Sequence, residues 1–372
     1  MPKRLTEVEQ LRRDNLAIKE TEAKTFQRVR LLERELKEIN RENNSAEKVR
    51  EDIYRLAAQT PDPPKWLSRT RDPGSPGVPM TMWSDWHWGE VVNRVEVAGV
   101  NSFNRAIAKQ RLNSLVENTI DIALSHMVKP KYPGIVICIA GDLFTGIIHD
   151  LKETNEGFIF QILSELQDHT AAAIIRMADA FGHVFCPCVV GNHGRTTIRP
   201  RAKGHVFENF EWNLYCQLER YFRHDKRIQF MIPGETDAYF SVLGHRFLLT
   251  HGDTLGVKGG DGIIGALGPI TRGAIKVGRS EAQIGRDFDT LLMGQWHTYI
   301  PRGDAAAVVV NGTLKGYDEF ARLVLRVPYA RPSQALWFIH PRQGFTFQVP
   351  VYLEEPKRQS KSGEWVSWRI AA

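Results

Sequence analysis

The chain is poor in cysteine, which limits the kinds of site that it can form. Only four cysteines occur among its 372 residues, namely Cys138, Cys186, Cys188 and Cys216. Cys186 and Cys188 are too close in sequence for an ordinary disulfide. No second cysteine or histidine pair has the spacing of a zinc ligand set. The pattern argues against a disulfide framework and a cysteine-rich zinc site, and it favours buried, reduced thiols in a cytoplasmic protein.

Long apolar runs are also missing. No stretch approaches the roughly 20 apolar residues that a membrane-spanning helix needs. The chain begins Met-Pro-Lys-Arg and continues into charged sequence, which is unlike a signal peptide. The formal net charge of +6 permits a polyanionic partner without requiring one. We therefore expect a cytoplasmic protein with no membrane partner.

Glycine is absent from residues 1–58, where Lys, Arg and Glu dominate. Apolar residues recur there in one seven-residue register, at Leu11, Ile18, Leu32, Ile39 and Ile53. Val8, Val29 and Leu36 fill the companion position, which polar residues interrupt elsewhere. This spacing predicts an N-terminal coiled-coil helix that forms a homo-oligomer or binds a partner. A single solvated helix is the alternative.

Proline and glycine cluster in residues 59–79, which predicts a linker before a folded domain over residues 80–372. Within that domain, strand-like and helix-like segments alternate as far as about residue 222. Strands dominate afterwards. This order predicts an α/β fold in which two sheets pack face to face, with flanking helices.

Five of the predicted strands end in residues that can bind metal ions. The relevant side chains follow in chain order: Asp85 and His87, then Asp142, then Asn192 and His193, then His251, then Gln295 and His297. A polar residue leaving the core at a turn explains any one of these positions. Five consecutive strand ends with ligand chemistry are better explained by one shared metal site.

This series resembles the calcineurin-like metallophosphoesterase superfamily, whose motifs are Asp-x-His, Gly-Asp, Gly-Asn-His, a lone His and Gly-His-x-His. The resemblance covers residues 80 to about 300. The spacing is more similar to SbcD-type nucleases and bacteriophage phosphoesterases than to protein phosphatases. The latter require Asp-Arg-Gly soon after Gly-Asp, whereas Asp142 is followed by Leu-Phe-Thr-Gly.

The resemblance implies a four-layer, two-sheet fold and two divalent metal ions. It implies that Asp85, His87 and His297 hold the first ion, that Asp142 bridges, and that Asn192 and His251 hold the second. His193 would act on the leaving oxygen or the phosphate without binding metal. Two such ions clamp the attacking and leaving oxygens of a phosphoryl transfer.

Gln295 departs from the family pattern, which has a histidine ligand at that position. An amide oxygen is a weaker, neutral ligand, and it suits Mn²⁺ better than Zn²⁺. We therefore expect Mn²⁺, with Fe or Zn²⁺ as alternatives. A degenerate, inactive site is the competing interpretation.

The substrate is indicated less directly. Arg195 and Arg199 follow the Asn-His pair, and His149 follows Asp142, so all three are candidate substrate-binding residues. Trp86, Trp88 and Trp296 adjoin the predicted ligands and could stack on bases or pack around the site. The leading hypothesis is a metal-dependent phosphodiesterase acting on nucleic acid, most simply a DNA nuclease. A phosphomonoesterase, a small-molecule phosphodiesterase and a coiled-coil scaffold with a degenerate site remain alternatives.

Overall fold

The structure, a computed structural model, describes residues 19, 21–35, 37, 77–148, 156–256, 267–303 and 307–354. The chain divides into two units, Met1–Gln59 and Thr60–Ala372. No helix in the described ranges has the length and apolar character needed to span a bilayer.

In the first unit the described residues 21–35 form a helix, α1, whose side chains are all exposed. Phe26, Val29 and Leu32 are among the exposed apolar residues. Most of the predicted heptad register, including Leu11, Ile18, Ile39 and Ile53, lies outside the described residues. The coiled coil therefore stays a prediction.

The second unit contains a six-stranded mixed sheet. Its strand order is β10-β9-β1-β2-β3-β4, with β1 to β4 parallel and β9 antiparallel to both β1 and β10. The strands are β1 (Val78–Trp83), β2 (Ile135–Ile139), β3 (Val184–Pro187), β4 (Ile228–Met231), β9 (Ser333–His340) and β10 (Gly344–Tyr352). Because β1, β2 and β3 are parallel, their carboxyl ends lie at one edge of the sheet.

Three helices cover one face of this sheet: α2 (Arg105–Leu124), α3 (Ile159–Phe181) and α4 (Phe210–Phe222). The Asn104 side chain caps the start of α2 by accepting a hydrogen bond from the Ile107 amide. The strand residues that face the helices alternate with those that face the other way, so Ile135, Ile137 and Ile139 pack in the helical layer.

A four-stranded sheet of order β5-β6-β7-β8 forms the second sheet. Its strands are β5 (Ala238–Val242), β6 (His245–Thr250), β7 (Thr290–Met293) and β8 (Val308–Val310), of which the last three are parallel. A fifth helix, α5 (Leu267–Gln283), packs Ile270, Ala274 and Val277 against the outer face of this sheet. Helix α5 is not predicted by the sequence pattern, because its glycines and basic residues obscure the apolar spacing.

One buried cluster contains side chains from both sheets, so the two sheets face each other across it. Val136 and Cys138 of β2 belong to this cluster, together with Leu249 of β6, Leu292 of β7 and Val309 of β8. The predicted α/β class with two sheets and helices is confirmed. The arrangement places the carboxyl ends of strands from both sheets close together, as the side-chain distances below establish.

Candidate metal centre

The turn after β1 and the turn after β7 meet and bring three candidate ligands together. His87 Nε2 lies 3.0 Å from His297 Nε2, and His297 Nε2 lies 3.3 Å from Asp85 Oδ1. Asp85 and His87 are almost fully buried, whereas His297 is partly exposed. The two imidazoles and the carboxylate form a compact group at the carboxyl ends of β1 and β7.

Asp142, at the end of β2, joins a second group with residues that follow β3 and β6. His251 Nε2 lies 3.0 Å from Asp142 Oδ2 and 3.1 Å from Asn192 Oδ1. His251 Nδ1 lies 2.7 Å from the Ala140 carbonyl oxygen, which requires the proton to be on Nδ1 and leaves Nε2 to face the carboxylate. Backbone contacts thus fix the ring orientation that a metal ligand needs.

These separations fit a shared cation. Two atoms that each lie ~2.1 Å from one ion are about 3 to 3.5 Å apart, and the ligand pairs above fall in that range. Three sets of side chains could hold an ion, with ligand atoms within 4.8 Å of one another: Asp85, His87 and His297; His87, Asp142 and His193; and Asp85, Asp142 and His251. Buried Asp and His groups therefore lie close enough together to hold a metal ion.

No protein-family model and no curated protein matches this chain. The resemblance to metallophosphoesterases therefore rests on the motifs alone and stays a prediction. What the structure adds is the geometry, since residues spread over more than 200 positions in the sequence converge at one place.

The backbone at the site is strained. Asp85, His87, Asp142, Gln295 and His297 all adopt left-handed conformations, with φ between 50° and 67°. Such a conformation costs non-glycine residues of order 1 kcal/mol or more each, and it persists where the surroundings enforce it. Five of the eleven non-glycine residues with positive φ in the described ranges are candidate ligands, which indicates that the fold is arranged to place these side chains.

Two glycines allow the carboxylates to approach the backbone closely. A Cβ atom on Gly191 would collide with the Asp142 carboxylate and with the Asp142 backbone nitrogen. A Cβ atom on Gly294 would collide with the carboxylate of Asp85. The glycines of the Gly-Asn-His and Gly-Gln-Trp-His motifs are therefore required by space, not by their own φ angles.

The electrostatics of the site favour a neutral His87 and an ion pair between Asp142 and His251. Burial lowers the pKa of His87 well below its ordinary value, and the Lys315 ammonium adds to that effect, so His87 is the neutral imidazole that a metal requires. Burial acts to raise the pKa of Asp142, but the positive charge of His251, with coulombic and hydrogen-bond contributions from His193, outweighs burial and lowers it, and against the effect of burial Asp142 in turn raises the pKa of His251. Asp142 is therefore an ionised carboxylate between two groups that could bind cations.

His193 is oriented by the turn that carries Asp142. Its backbone amide donates to Asp142 Oδ1 at 2.8 Å, and its Nδ1 lies 2.9 Å from the Thr145 carbonyl oxygen. The Thr145 carbonyl oxygen can only accept a hydrogen bond, so His193 Nδ1 carries a proton and Nε2 is the ring atom that faces the candidate ligands. Nε2 lies 4.0 Å from Asp142 Oδ2. The distances permit His193 to act either as an acid or as a ligand.

Gln295 lies beside Asp85, with its backbone amide 3.0 Å from Asp85 Oδ1. Its side-chain oxygen Oε1 is buried and has no hydrogen-bond partner among the described residues. A buried amide oxygen without a partner is costly, and a cation would satisfy it. Asp253, two residues after His251, could replace Gln295 as a ligand, but it lies 3.9 Å from His205 Nε2 and belongs to none of the three candidate sets.

The predicted substrate-binding residues differ in their surroundings. Arg195 donates to the Thr197, Asn192 and Ile198 carbonyl oxygens, so three of its hydrogen bonds organise its own loop. Arg199 is exposed, and His149 lies outside the described residues. Substrate binding by these residues stays a prediction.

The tryptophans beside the ligands pack inside the protein. Trp86 and Trp88 are fully buried in the helical-layer core, which leaves no ring face for a nucleobase. Trp296 is half-buried against the outer face of the second sheet. Packing is therefore the correct interpretation for the two tryptophans that follow β1.

Sequence reasoning missed the residues that hold the ligand turns. Glu211, buried in the first turn of α4, accepts hydrogen bonds from the Leu143 amide at 2.6 Å and from the Gly191 amide at 2.7 Å. It thus ties the Asp142 turn to the Asn192 turn. Its position two residues after the capping Asn209 is an ordinary helix-start pattern, so the sequence offered no signal of this role.

The Asp85 turn is held by a separate polar network. Ser84 Oγ donates to Asp85 Oδ2 at 2.5 Å, and Asn311 Nδ2 donates to Ser84 Oγ at 2.8 Å. The buried Gln334 accepts from the Ser84 amide at 3.0 Å, and Thr313 donates to the Asp85 carbonyl oxygen at 2.7 Å. Residues far along the chain therefore fix the first ligand.

Proposed function

We propose that the protein is a metal-dependent phosphodiesterase with a metallophosphoesterase-like, four-layer fold. The observation that carries this proposal is the convergence of two carboxylates and four imidazoles, with the Asn192 amide, at one edge of two facing sheets. That ligand set suits Mn²⁺, Fe or Zn²⁺. Strained backbone at five of the candidate ligand positions supports a functional site over an accidental cluster.

In this proposal Asp85, His87 and His297 hold one divalent ion, and Asn192 and His251 hold a second. Asp142 is shared, and Gln295 contributes its amide oxygen. The ions supply charge stabilisation for the phosphate and an activated water. Mn²⁺ is the proposed native metal, because the amide ligands favour a harder ion than Zn²⁺.

The chain's own residues then orient the substrate and move a proton. His193, with Nδ1 anchored on Thr145, presents Nε2 to the leaving oxygen as a general acid. Asp142 holds the His193 backbone in place through the amide hydrogen bond. The side chain of His193 is 16% exposed, so a substrate can reach it.

Nucleic acid is the proposed substrate. The loop after His193 exposes Arg199, Arg201 and Lys203. The exposed Lys276 of α5 reaches Gly256, just beyond the turn that follows His251. Exposed cations on both connections support contacts to phosphates on either side of a scissile bond. A partner of residues 1–58, or a second copy of the chain, stays part of the proposal through the N-terminal heptads.

Two assays test the proposal in sequence. Hydrolysis of bis-p-nitrophenyl phosphate with Mn²⁺ separates an enzyme from a scaffold with a degenerate site. Labelled single-stranded and double-stranded DNA then separates a nuclease from a small-molecule phosphodiesterase. Cleavage of the chromogenic diester without cleavage of either DNA would reject DNA as the substrate and leave the phosphodiesterase chemistry.

A further inference from the structure

A buried row of charges leads from His87 away from the metal centre. Glu90 Oε2 lies 3.5 Å from His87 Nδ1, and Glu90 Oε1 lies 2.9 Å from Lys315 Nζ. Lys315 Nζ also lies 2.5 Å from Asp318 Oδ2. All four residues are less than 10% exposed. These contacts form a continuous line, which we call the Glu90 triad (Glu90, Lys315 and Asp318).

The first link concerns the proton on His87. His87 Nε2 faces His297, so Nε2 is the ligand atom and the neutral ring must carry its proton on Nδ1. His87 Nδ1 is buried and has no hydrogen-bond partner within the described ranges. The Glu90 carboxylate at 3.5 Å is the group positioned to accept that proton's hydrogen bond.

The second link concerns the cost of burying charge. Replacing a buried ion pair by apolar side chains is often neutral or stabilising. Stability alone therefore does not account for three charges buried next to a metal ligand. Thr145 Oγ1 lies 3.1 Å from Glu90 Oε2 and 3.2 Å from the His87 carbonyl oxygen, so Glu90 is held against the His87 turn as well as against Lys315.

We propose that Glu90 is a positioning residue that fixes the tautomer and ring orientation of His87, and that Lys315 fixes Glu90 by holding its other oxygen. The inference rests on the proposed metal centre, and it assigns roles to residues outside the ligand motifs. Carboxylate-to-histidine contacts of this kind typically change metal affinity 10- to 100-fold when they are removed.

Glu90→Gln gives a sharp test because Lys315 dictates which way the amide turns. The ammonium requires the amide oxygen, so the amide nitrogen faces His87 Nδ1. An amide nitrogen that donates to His87 Nδ1 favours the His87 tautomer with its proton on Nε2. In that tautomer Nε2 has no lone pair with which to bind metal. We expect isothermal titration of the full chain with Mn²⁺ to show one of two sites weakened about 10- to 100-fold.

Adding Lys315→Met to Glu90→Gln should partly restore binding. Without the ammonium, the amide oxygen is free to turn to His87 Nδ1 and accept its proton. The double variant should therefore bind Mn²⁺ about tenfold more tightly than Glu90→Gln alone, which is the size of effect that a carboxylate partner of a ligand histidine has on metal affinity. A merely structural role for Glu90 predicts the opposite, since the second substitution removes a further buried contact.

Glu354→Gln is the matched control. Glu354 pairs with the buried Arg111 at 3.0 Å and belongs to none of the candidate ligand sets. Glu354→Gln should leave both Mn²⁺ affinities within about threefold of wild type, which is less than the effect of removing a group that hydrogen-bonds to a metal ligand.

Three results would overturn the inference: no Mn²⁺ binding by the wild type, wild-type affinities in Glu90→Gln, or no recovery in the double variant. A protein that binds Mn²⁺ in the expected pattern but hydrolyses no phosphodiester would instead reject the proposed function and leave the role of Glu90 intact.

Discussion

Lys315 should contribute to stability in a way that depends on pH. Its side chain is 4% exposed, and its ammonium contacts two carboxylates, Glu90 and Asp318. Burial lowers the pKa of Lys315, but the two carboxylates outweigh burial and raise it, so the side chain is charged. Lys315→Met keeps most of the aliphatic packing and leaves two buried carboxylates without a cation. Breaking a buried ion pair from one side costs about 3–5 kcal/mol, and we expect a loss in that range at pH 7.

The sign of the pH dependence follows from Asp318. Burial acts to raise the pKa of Asp318, but Lys315 outweighs burial and the net pKa is lowered. A carboxylate with a lowered pKa stabilises the fold above its ordinary pKa, and that stability is lost as the pH falls through the lowered value. In Lys315→Met the Ala321 amide and His297 still act to lower the pKa of Asp318, but the largest opponent of burial is gone, so the pKa rises relative to the wild type and the ionised carboxylate costs stability as the pH increases. The difference between the two proteins should therefore shrink from pH 7 to pH 4.

Urea unfolding at pH 4, 5, 6 and 7 measures this difference. Lys226→Met, at an exposed lysine, is the control and should change stability by less than about 0.5 kcal/mol, as surface substitutions usually do. If Lys315→Met lowers the free energy of unfolding by less than about 1 kcal/mol at pH 7, the loss lies outside the range for a broken buried ion pair. Lys315 would then not be needed to neutralise the two carboxylates. A difference that does not change with pH would refute that role of Lys315 as well.

Three further predictions concern the metal centre. Gly191→Ala should displace the Asp142 carboxylate and lower bound metal, measured by elemental analysis of the folded variant; metal content equal to wild type would show that the turn relaxes freely. His193→Ala should lower turnover by about 10²-fold or more with metal content near wild type, and loss of metal would instead make His193 a ligand. Gln295→His should tighten the weaker Mn²⁺ site and shift preference toward Zn²⁺ in calorimetric titrations. Two equally tight Mn²⁺ sites in the wild type would contradict the assignment of Gln295 as a weak ligand.

The ligand positions could be predicted because the end of a strand is visible in a short stretch of sequence. An apolar run that stops at Gly-Asp or at Gly-Asn-His places the next polar side chain at the edge of a sheet, whatever the rest of the chain does. The structure brings Asp142 and His251 to 3.0 Å although they are 109 positions apart. Parallel strands in each sheet explain why such distant motifs share one edge.

The supporting residues could not be anticipated because their partners are distant in sequence. Lys315 contacts Glu90 across 225 positions, and Gln334 contacts Ser84 across 250. Neither residue belongs to a motif, and a lysine or glutamine is ordinarily exposed. The orientation of Arg195 toward its own loop could not be predicted either. Every residue has a backbone carbonyl oxygen, so a hydrogen bond to one does not depend on which residue type supplies it.

Whether bound metal is what hydrolyses the phosphodiester is tested by measuring metal content and hydrolysis in one sample. The protein should be stripped with EDTA and then titrated with Mn²⁺ while bound metal and hydrolysis of bis-p-nitrophenyl phosphate are followed together. Hydrolysis should be lost on stripping and should rise as Mn²⁺ fills the site, and Asp142→Asn should show neither full occupancy nor full activity. Undiminished hydrolysis by the stripped protein, or full metal occupancy with no hydrolysis of any phosphodiester, would contradict the proposed function.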